Sequence, residues 1–547
     1  MRTGQRGDHR CGAARRRGND GQLRRTLPPT LRLVLDPSTR RTDGGRVLIG
    51  GSPLRILRLT AAGKFAVDGL VSGDEVGQAP TRQRLARRLL DAGMAHPRPP
   101  APPHLRVAVV VPARDRPAGL AATLAALRPR PWTVDVDRGA VLADGVLAEA
   151  PTAADGVIAE APSAADGVLA GAPTAGVPVD GGSPPVIVVD DGSLGPGTAI
   201  AAHAGHAHVE RHDRPRGPAA ARNTGWRLSD ADVVAFVDAD CVPSEGWLAV
   251  VLRHFADPGV GAVAPRIAPA AGPGTRRWIA AYERHRSPLD MGDQEGRVRP
   301  RSRIPYVPAA ALLVRRSALE SVDGFDEDLF AGEDVDLVWR LVEAGWTVRY
   351  EPRAVVGHPV RPDLGAWLEQ RFVYGSSAAA LAARHDKAVA PLAVSGWSAA
   401  AWALVALRRP AAGAVVAAGT TALLAPRLRS LEHPAQEALR LGGLGHLQAG
   451  RQIADAVRRV WWPVAVPLAL RWRRVRPALL AAFVVPPLLD WIRHRPPLDP
   501  VRWTAARVAD DLAYGAGVWR GAVGARSAAS LRPDLASWPG RRRAIER

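Results

Sequence analysis

Three short runs of the chain are apolar at every position: residues 107–111, 186–189 and 233–237. Uninterrupted apolar runs of this length mark strands buried on both faces of a parallel sheet. The Ala/Leu-rich stretch 117–127 follows the first run with helical character. Strands alternating with helices predict an α/β layer fold whose ligands sit beyond the C-terminal ends of the strands.

Upstream the pattern is different. Residues 31–35 and 46–50 read as short strands around the turn Thr42-Asp43-Gly44-Gly45. Leu85, Leu89 and Leu90 recur at helical spacing before Gly93, a plausible C-cap. Residues 28–96 are therefore expected to form a small winged-helix-like strand–helix module, either a structural appendage or a peptide-recognition element. Residues 97–104 hold five prolines and read as a stiff linker. Residues 1–27 read as a disordered Arg-rich tail. Arg15, Arg16 and Arg17 precede no apolar segment, so no export signal is expected there.

Downstream, residues 376–547 read as a helical, membrane-associated region. Residues 389–407 are a 19-residue run without charge, near the length that spans a bilayer. The apolar runs 411–425, 460–470 and 477–489 are shorter, and the last two are broken by prolines. They suit spans, re-entrant hairpins or interfacial helices. Trp397, Trp402, Trp461, Trp462, Trp472 and Trp491 lie in or beside these runs, as interfacial aromatics do. A helical domain packed on the core is the plainer alternative.

An 11-residue repeat interrupts the α/β pattern. Residues 143–153, 154–164 and 165–175 are near-identical copies of an Ala-Asp-Gly-Val unit, each with one proline. Three such short units do not make a solenoid. Residues 130–183 are expected to be a surface insertion, tolerated because loop closure costs little more as a loop lengthens.

Composition changes the picture only at the margins. The 547 residues imply two or three domains. The net charge is +20, but Lys64 and Lys387 are the only lysines, so the charge follows a compositional bias toward arginine. No zinc-finger spacing and no RNA-recognition aromatic signature accompanies it, and nucleic acid is not an expected partner. Arginines flanking the C-terminal apolar runs point to anionic membrane lipid. Cys11 and Cys241 are too few and too far apart for a disulfide framework.

Four clusters carry chemistry, each just after a predicted strand. Asp190-Asp191-Gly192-Ser193 places two carboxylates at a strand end, able to bond a base and ribose. Asp-Gly is also an ordinary turn. Ala221-Arg222-Asn223 opens a helix after a Gly/Pro-rich loop, and Arg222 has the charge to meet a diphosphate. Asp238-Ala239-Asp240 ends an apolar strand. Side chains at i and i+2 of an extended segment share a face, so both carboxylates can address one hard cation. Gly332-Glu333-Asp334-Val335-Asp336-Leu337 follows Gly324-Phe325-Asp326-Glu327. Acidic residues there cap a helix, or one of them is a general base. His358, after the apolar residues 354–356, is a candidate metal ligand beside Asp240.

In this order and spacing, residues 109–113, 188–193, 221–223, 238–240 and 324–337 together resemble glycosyltransferase family 2, over about residues 105–375. The resemblance implies a GT-A core with a mainly parallel sheet, an inverting mechanism and a divalent metal, Mg²⁺ or Mn²⁺. It implies Asp334 as the base and Asp240 as a metal ligand with His358. It implies a donor side of Pro112, Arg114, Asp190, Asp191, Arg222, Asn223 and Asp238, and an acceptor side including Glu333 and Asp336. The Gln-x-x-Arg-Trp signature of processive synthases has no match: the nearest string is Glu369-Gln370-Arg371-Phe372. The whole layout is similar to the glycosyltransferases of mycofactocin biosynthesis in actinobacteria. That implies transfer of glucose from UDP-glucose to a peptide-derived acceptor, in β linkage, at the cytoplasmic face of the cell membrane. An envelope glycosyltransferase with a lipid-linked or polysaccharide acceptor, and a non-catalytic scaffold, are the alternatives.

Overall fold

The computed structural model describes residues 26–101, 103–128, 177–178, 184–272 and 274–535. The 11-residue repeats, Cys11 and residues 1–25 lie outside the described residues.

The N-terminal module is built as the pattern predicts. Strand β1 (Arg32–Leu35), the antiparallel meander β2 (Arg40–Thr42), β3 (Val47–Gly50) and β4 (Arg55–Arg58), helices α1 (Ala61–Val71) and α2 (Pro80–Ala92) and strand β5 (Ala95–Arg98) follow in order. Leu33, Leu48, Leu57, Val67, Leu70 and Leu89 fill its core. Gly93 caps α2 in the left-handed conformation at φ +67°. Two boundaries move. Leu27, expected in the tail, is buried and exchanges hydrogen bonds of 2.8 and 3.1 Å with the Gln83 amide. Pro97 and Arg98, expected in the linker, belong to β5, which pairs antiparallel with β1. Proline is tolerated at such an edge because its missing N–H costs no inner ladder bond.

The central sheet has ten strands. In chain order come β6 (Arg106–Ala113), α3 (Pro117–Leu127), the two-residue β7 (Val177–Pro178), β8 (Val186–Asp190), α4 (Gly197–Ala204), β9 (His208–Arg211), α5 (Pro218–Leu228), β10 (Val233–Val237) and β11 (Val242–Pro243). Then follow α6 (Trp247–Leu252), β12 (Val260–Ala270), α7 (Arg277–Arg286), β13 (Gly296–Val298), β14 (Ala311–Arg315), α8 (Arg316–Ser321), α9 (Glu333–Glu343) and β15 (Thr347–Pro359). The spatial order is β11-β15-β12-β14-β10-β6-β8-β9, with β13 on β15 and β7 on β6. Strands β9, β8, β6 and β10 are mutually parallel. β14 enters antiparallel between β10 and β12, and β15 runs parallel to β12. The three apolar runs become β6, β8 and β10, whose Val109, Val188 and Ala235 are fully buried. Their neighbouring C-terminal ends bring the acidic motifs to one rim.

The C-terminal region is helical: α10 (Leu364–Ser376), α11 (Ala378–His385), α12 (Gly396–Ala406), α13 (Pro410–Ala422), α14 (Pro434–Arg459), α15 (Trp462–Arg471), α16 (Arg476–His494) and α17 (Pro500–Gly524). The run 389–407 is not one helix. A 3₁₀ turn ends at Val389 and α12 begins only at Gly396. Its 11 residues reach about 16 Å, about half a hydrocarbon core. Two other segments are long and apolar enough to cross a membrane: Pro410–Leu428, with 19 residues, and Arg473–His494, with 22.

Ion pairs tie the module to the sheet domain. Arg87 donates two bonds of 2.8 Å to Asp257, Arg98 grips Glu295, and Arg297 reaches Asp91. Arg40 pairs with Glu437, linking the module to the C-terminal region as well.

Candidate active site

The first acidic pair holds the rim together. Asp190 ends β8 with no exposed surface. Its Oδ1 accepts from the Ser193 amide at 3.0 Å and its Oδ2 from Arg211 at 3.0 Å. Asp191 accepts from the Arg216 and Gly217 amides, each at 2.8 Å, and contacts His212 Nδ1 at 2.8 Å. His212 in turn reaches the Thr224 hydroxyl on α5. The turn between them needs glycine: Gly192 has φ +68°, and a Cβ there would stand 2.8 Å from the Pro215 nitrogen. The Asp191 carboxylate thus fixes the loop 212–217, while that of Asp190 ties the Ser193 turn and Arg211 to the end of β8. Pro112 lies in register with Val189, and Arg114 projects half-exposed just past β6.

Arg222 and Asn223, on the first turns of α5, are buried. Arg222 donates to Asp238 at 2.7 Å and to Glu333 at 2.8 Å. Burial alone would lower its pKa, but the Asp238 and Glu333 charges raise it, so it stays a cation. Asn223 is satisfied at both ends. Its amide nitrogen donates to the Phe325 carbonyl and Glu327, and its oxygen accepts from the Phe325 amide and the Trp226 indole. It clamps the Gly324-Phe325 loop.

Helix α9 opens on that loop. Gly332 adopts φ +83°, and Glu333, Asp334 and Asp336 load the first turn with the charge its dipole favours. The three carboxylates part company because successive residues on a helix point about 100° apart. Glu333 turns to Arg222. Asp334, half-buried, accepts from the Ala309 amide at 3.2 Å and the Val335 amide at 2.8 Å. Burial raises the pKa of Asp334, as it does that of Glu333, whose neighbour Asp334 adds like-charge repulsion. Asp336, expected on the acceptor side, points the other way. It is buried, with Oδ2 accepting from Arg340 at 2.7 Å and Oδ1 2.8 Å from His385 Nε2. Its role is to lock α9 to α11. Glu333, also expected there, is committed to Arg222.

Asp240 and His358 do meet. Asp240 follows β10, His358 lies near the end of β15, and Nε2 to Oδ1 is 3.7 Å. That is too long for a hydrogen bond, but two ligands about 2.1 Å from one cation stand roughly 3–4 Å apart. The other Asp240 oxygen is bound by Arg116, a cation already in place. Among the described residues no group of three or more His, Cys, Asp or Glu side chains is gathered for a metal. A hard ion here would draw its remaining ligands from donor phosphate oxygens and water, as Mg²⁺ usually does. A solvent-open cleft of about 260 Å³ begins at His358 and runs past Ile267, Pro288 and Pro359 to Gln370. The larger cavity of about 380 Å³ lies between the N-terminal module and the sheet, far from this chemistry.

Arg116, Arg211 and His212 were not marked by the sequence motifs, and Glu327 was marked only as part of the string 324–327, without a role. Arg211 was detectable in principle, because a residue closing the strand next to β8 must face the same rim. Arg116 and Glu327 find partners more than 100 positions away, which no local pattern reports.

The family model for "Glycosyl transferase family 2" matches residues 184–323. The chain is 37% identical over 522 residues to the pre-mycofactocin glycosyltransferase of Mycobacterium tuberculosis, covering 93% of this chain and 98% of that one. It is 30% identical over 166 residues to the glycosyltransferase AglE of Haloferax volcanii, about half of that protein. Among solved structures, the mannosyltransferase PcManGT of Pyrobaculum calidifontis, in complex with GDP-Man and Mn²⁺, aligns with 70% of this chain and 86% of its own at 17% identity and a TM-score of 0.35.

Proposed function

The chain belongs to glycosyltransferase family 2, and from that premise we propose that it moves a hexose, glucose from UDP-glucose, onto a hydroxyl of a peptide-derived mycofactocin precursor. The observation that carries this is the meeting of Asp238, Arg222, Glu333 and Asp334 at one rim, in a chain alike along nearly its whole length to pre-mycofactocin glycosyltransferase. The acceptor oxygen attacks the anomeric carbon and its proton passes to Asp334. The bond to the diphosphate breaks on the opposite side, giving a β-linked product and UDP. Burial raises the basicity of Asp334, and the two backbone amides leave lone pairs free for the acceptor hydroxyl. Asp240 and His358 would hold a divalent ion, Mg²⁺ or Mn²⁺, which when bound neutralises the departing diphosphate. Asp190 and Asp191 keep their place on the donor side by shaping the loop 212–217 that cradles the nucleoside. Pro112 and Arg114 flank it from β6.

The C-terminal helices would rest on the cytoplasmic face of the cell membrane. Val415, Leu423, Leu470 and Leu480 are each at least two-thirds exposed on them, and arginines flank the apolar segments, as anionic lipid favours. That surface also keeps a lipid-linked envelope acceptor in view as a second reading.

The test is release of UDP by purified protein across a panel of sugar donors, with and without Mg²⁺ or Mn²⁺ and with or without the precursor. Metal-dependent, precursor-stimulated release from UDP-glucose, lost in Asp240→Ala, is expected. Turnover stimulated only by lipid-linked sugar would move the acceptor to the envelope. A folded protein that releases nucleotide from no donor would end the catalytic reading.

A further inference from the structure

Three of the chain's five tyrosines, Tyr306, Tyr374 and Tyr514, gather near one another, and Tyr306 and Tyr374 lie within electrostatic reach of Asp334. Tyr306 precedes the segment whose Ala309 amide binds Asp334, and the Trp339 indole of α9 donates to Pro305 at 2.7 Å, so the two elements are fastened together. Tyr374 lies on α10, one turn before Ser377, and a Cβ on Gly332 would meet Ser377 at 3.2 Å. Tyr514 comes from α17, far along the chain. It arrives because α10 and α17 pack backbone to backbone: a Cβ at Gly375 would strike the Tyr514 carbonyl, and one at Gly517 the Phe372 carbonyl. The Arg459 guanidinium stacks 3.7 Å over the Tyr514 ring and is held by Asp511 at 3.0 Å.

We infer that Tyr306, Tyr374 and Tyr514, stiffened by Arg459, form an acceptor subsite for a ring that carries the reacting hydroxyl, making α17 a wall of the active site. This rests on the proposed transferase chemistry and deepens it. All three rings are partly exposed. Two of the hydroxyls are anchored: Tyr306 donates to the Pro288 carbonyl at 3.0 Å, and Tyr374 accepts from Gln370 at 3.1 Å. Pro288 and Gln370 line the cleft that starts at His358. The electrostatics agree with the geometry. Burial pushes the Tyr306 hydroxyl up to about 12, against the pull of Arg459, with Tyr514 and Asp334 adding to the rise. Burial raises Tyr374 as well, so these two phenols stay neutral and present faces rather than charge. Such faces suit a phenol ring or the C–H face of a pyranose, both of which carry hydroxyls at their edge.

The experiment measures acceptor KM and donor KM separately for wild type, Tyr514→Ala, Tyr514→Phe and Tyr374→Ala. A tyrosine-derived phenolic acceptor and its glucosylated form are run as separate arms, and thermal unfolding reports folding. Tyr514→Ala is expected to raise acceptor KM at least tenfold while donor KM moves less than twofold. Tyr514→Phe, which keeps the ring, should restore acceptor KM to within threefold of wild type. An effect in the phenolic arm alone identifies a first-sugar site, and one in the glucosylated arm alone a chain-extending site. Either supports the subsite. Unchanged acceptor KM in both arms for folded Tyr514→Ala would overturn it, and if that variant does not fold, Tyr374→Ala decides by the same criterion. A wild-type protein without nucleotide release in any arm instead defeats the transferase proposal on which the subsite stands.

Discussion

The sheet domain and the C-terminal helices spend their residues differently. In the sheet, the apolar runs are almost wholly buried, and the charged residues near the rim are paired with residues apart in the sequence: Arg222 with Asp238 and Glu333, Arg211 with Asp190. In the C-terminal region the order is inverted. Charged groups go inside, where Arg371 meets Glu283 and Asp510 and Arg458 meets Asp511, while Leu447, Leu470 and Leu480 face outward. A water-soluble domain hides apolar area and solvates charge. Helices that keep ion pairs at their centre and leucines on the outside would suit the membrane face proposed above. The two regions meet at the start of α9, where Gly332 abuts Ser377 and Leu381 and Asp336 bonds His385 of α11.

The largest expected effect lies where they meet. Asp334→Asn keeps the shape and the bond from the Ala309 amide but removes the base, and kcat should fall about 10²–10⁴-fold with donor KM little changed. The wild-type acid limb carries a second check. Burial raises the Asp334 pKa, and the base works only when deprotonated. The rate should therefore fall, as pH drops, at a pH above the ordinary aspartate range near 4. A single-turnover pH profile reads both. Near wild-type turnover in a folded Asp334→Asn protein would remove the base from this residue.

Next comes stability on the sheet side. Arg222→Met leaves Asp238 and Glu333 facing each other without their shared cation. Breaking a buried pair by deleting one partner costs roughly 3–5 kcal/mol, which denaturant unfolding would show as a large drop in midpoint. A loss below about 1 kcal/mol would mean that water reaches these carboxylates and that the rim is less dry than its burial states.

How much of this was legible in the sequence follows from the same contrast. Strands β6, β8 and β10 could be read because a buried parallel strand is apolar at every position, which is a local signal. The acidic motifs could be read because each lies at the end of such a strand. Asp336 was misplaced because sequence adjacency to Asp334 was taken as spatial adjacency, and a helix turns the second residue on to its far side. The 389–407 run was misjudged because hydropathy cannot see that Pro391 and Ser395 delay the helix until Gly396. Asn223 and Asp191 were legible as important but not in kind, since a motif names a residue without saying whether it faces ligand or loop. Tyr514 was beyond reach: what brings it to α10 is a helix crossing set by Gly375 and Gly517.

The smallest expected effect tests the outward-facing leucines. Leu480 on α16 is 66% exposed, so Leu480→Glu should change stability in detergent by no more than about 0.5 kcal/mol. Against liposomes the same change matters. Inserting a carboxylate where an apolar side chain met hydrocarbon costs upwards of about 1.4 kcal/mol, or tenfold in partition. Flotation with vesicles containing anionic lipid should show that loss. Glu437→Gln serves as the control, because Glu437 is buried against Arg40 of the N-terminal module and meets no lipid. If Leu480→Glu floats as well as wild type, the exposed leucines of α16 are not the membrane face. The inversion of charge and apolar surface would then belong to contact with another protein. Detergent would mask that contact, whereas a concentration-dependent rise in sedimentation coefficient, abolished by the same glutamate, would reveal it.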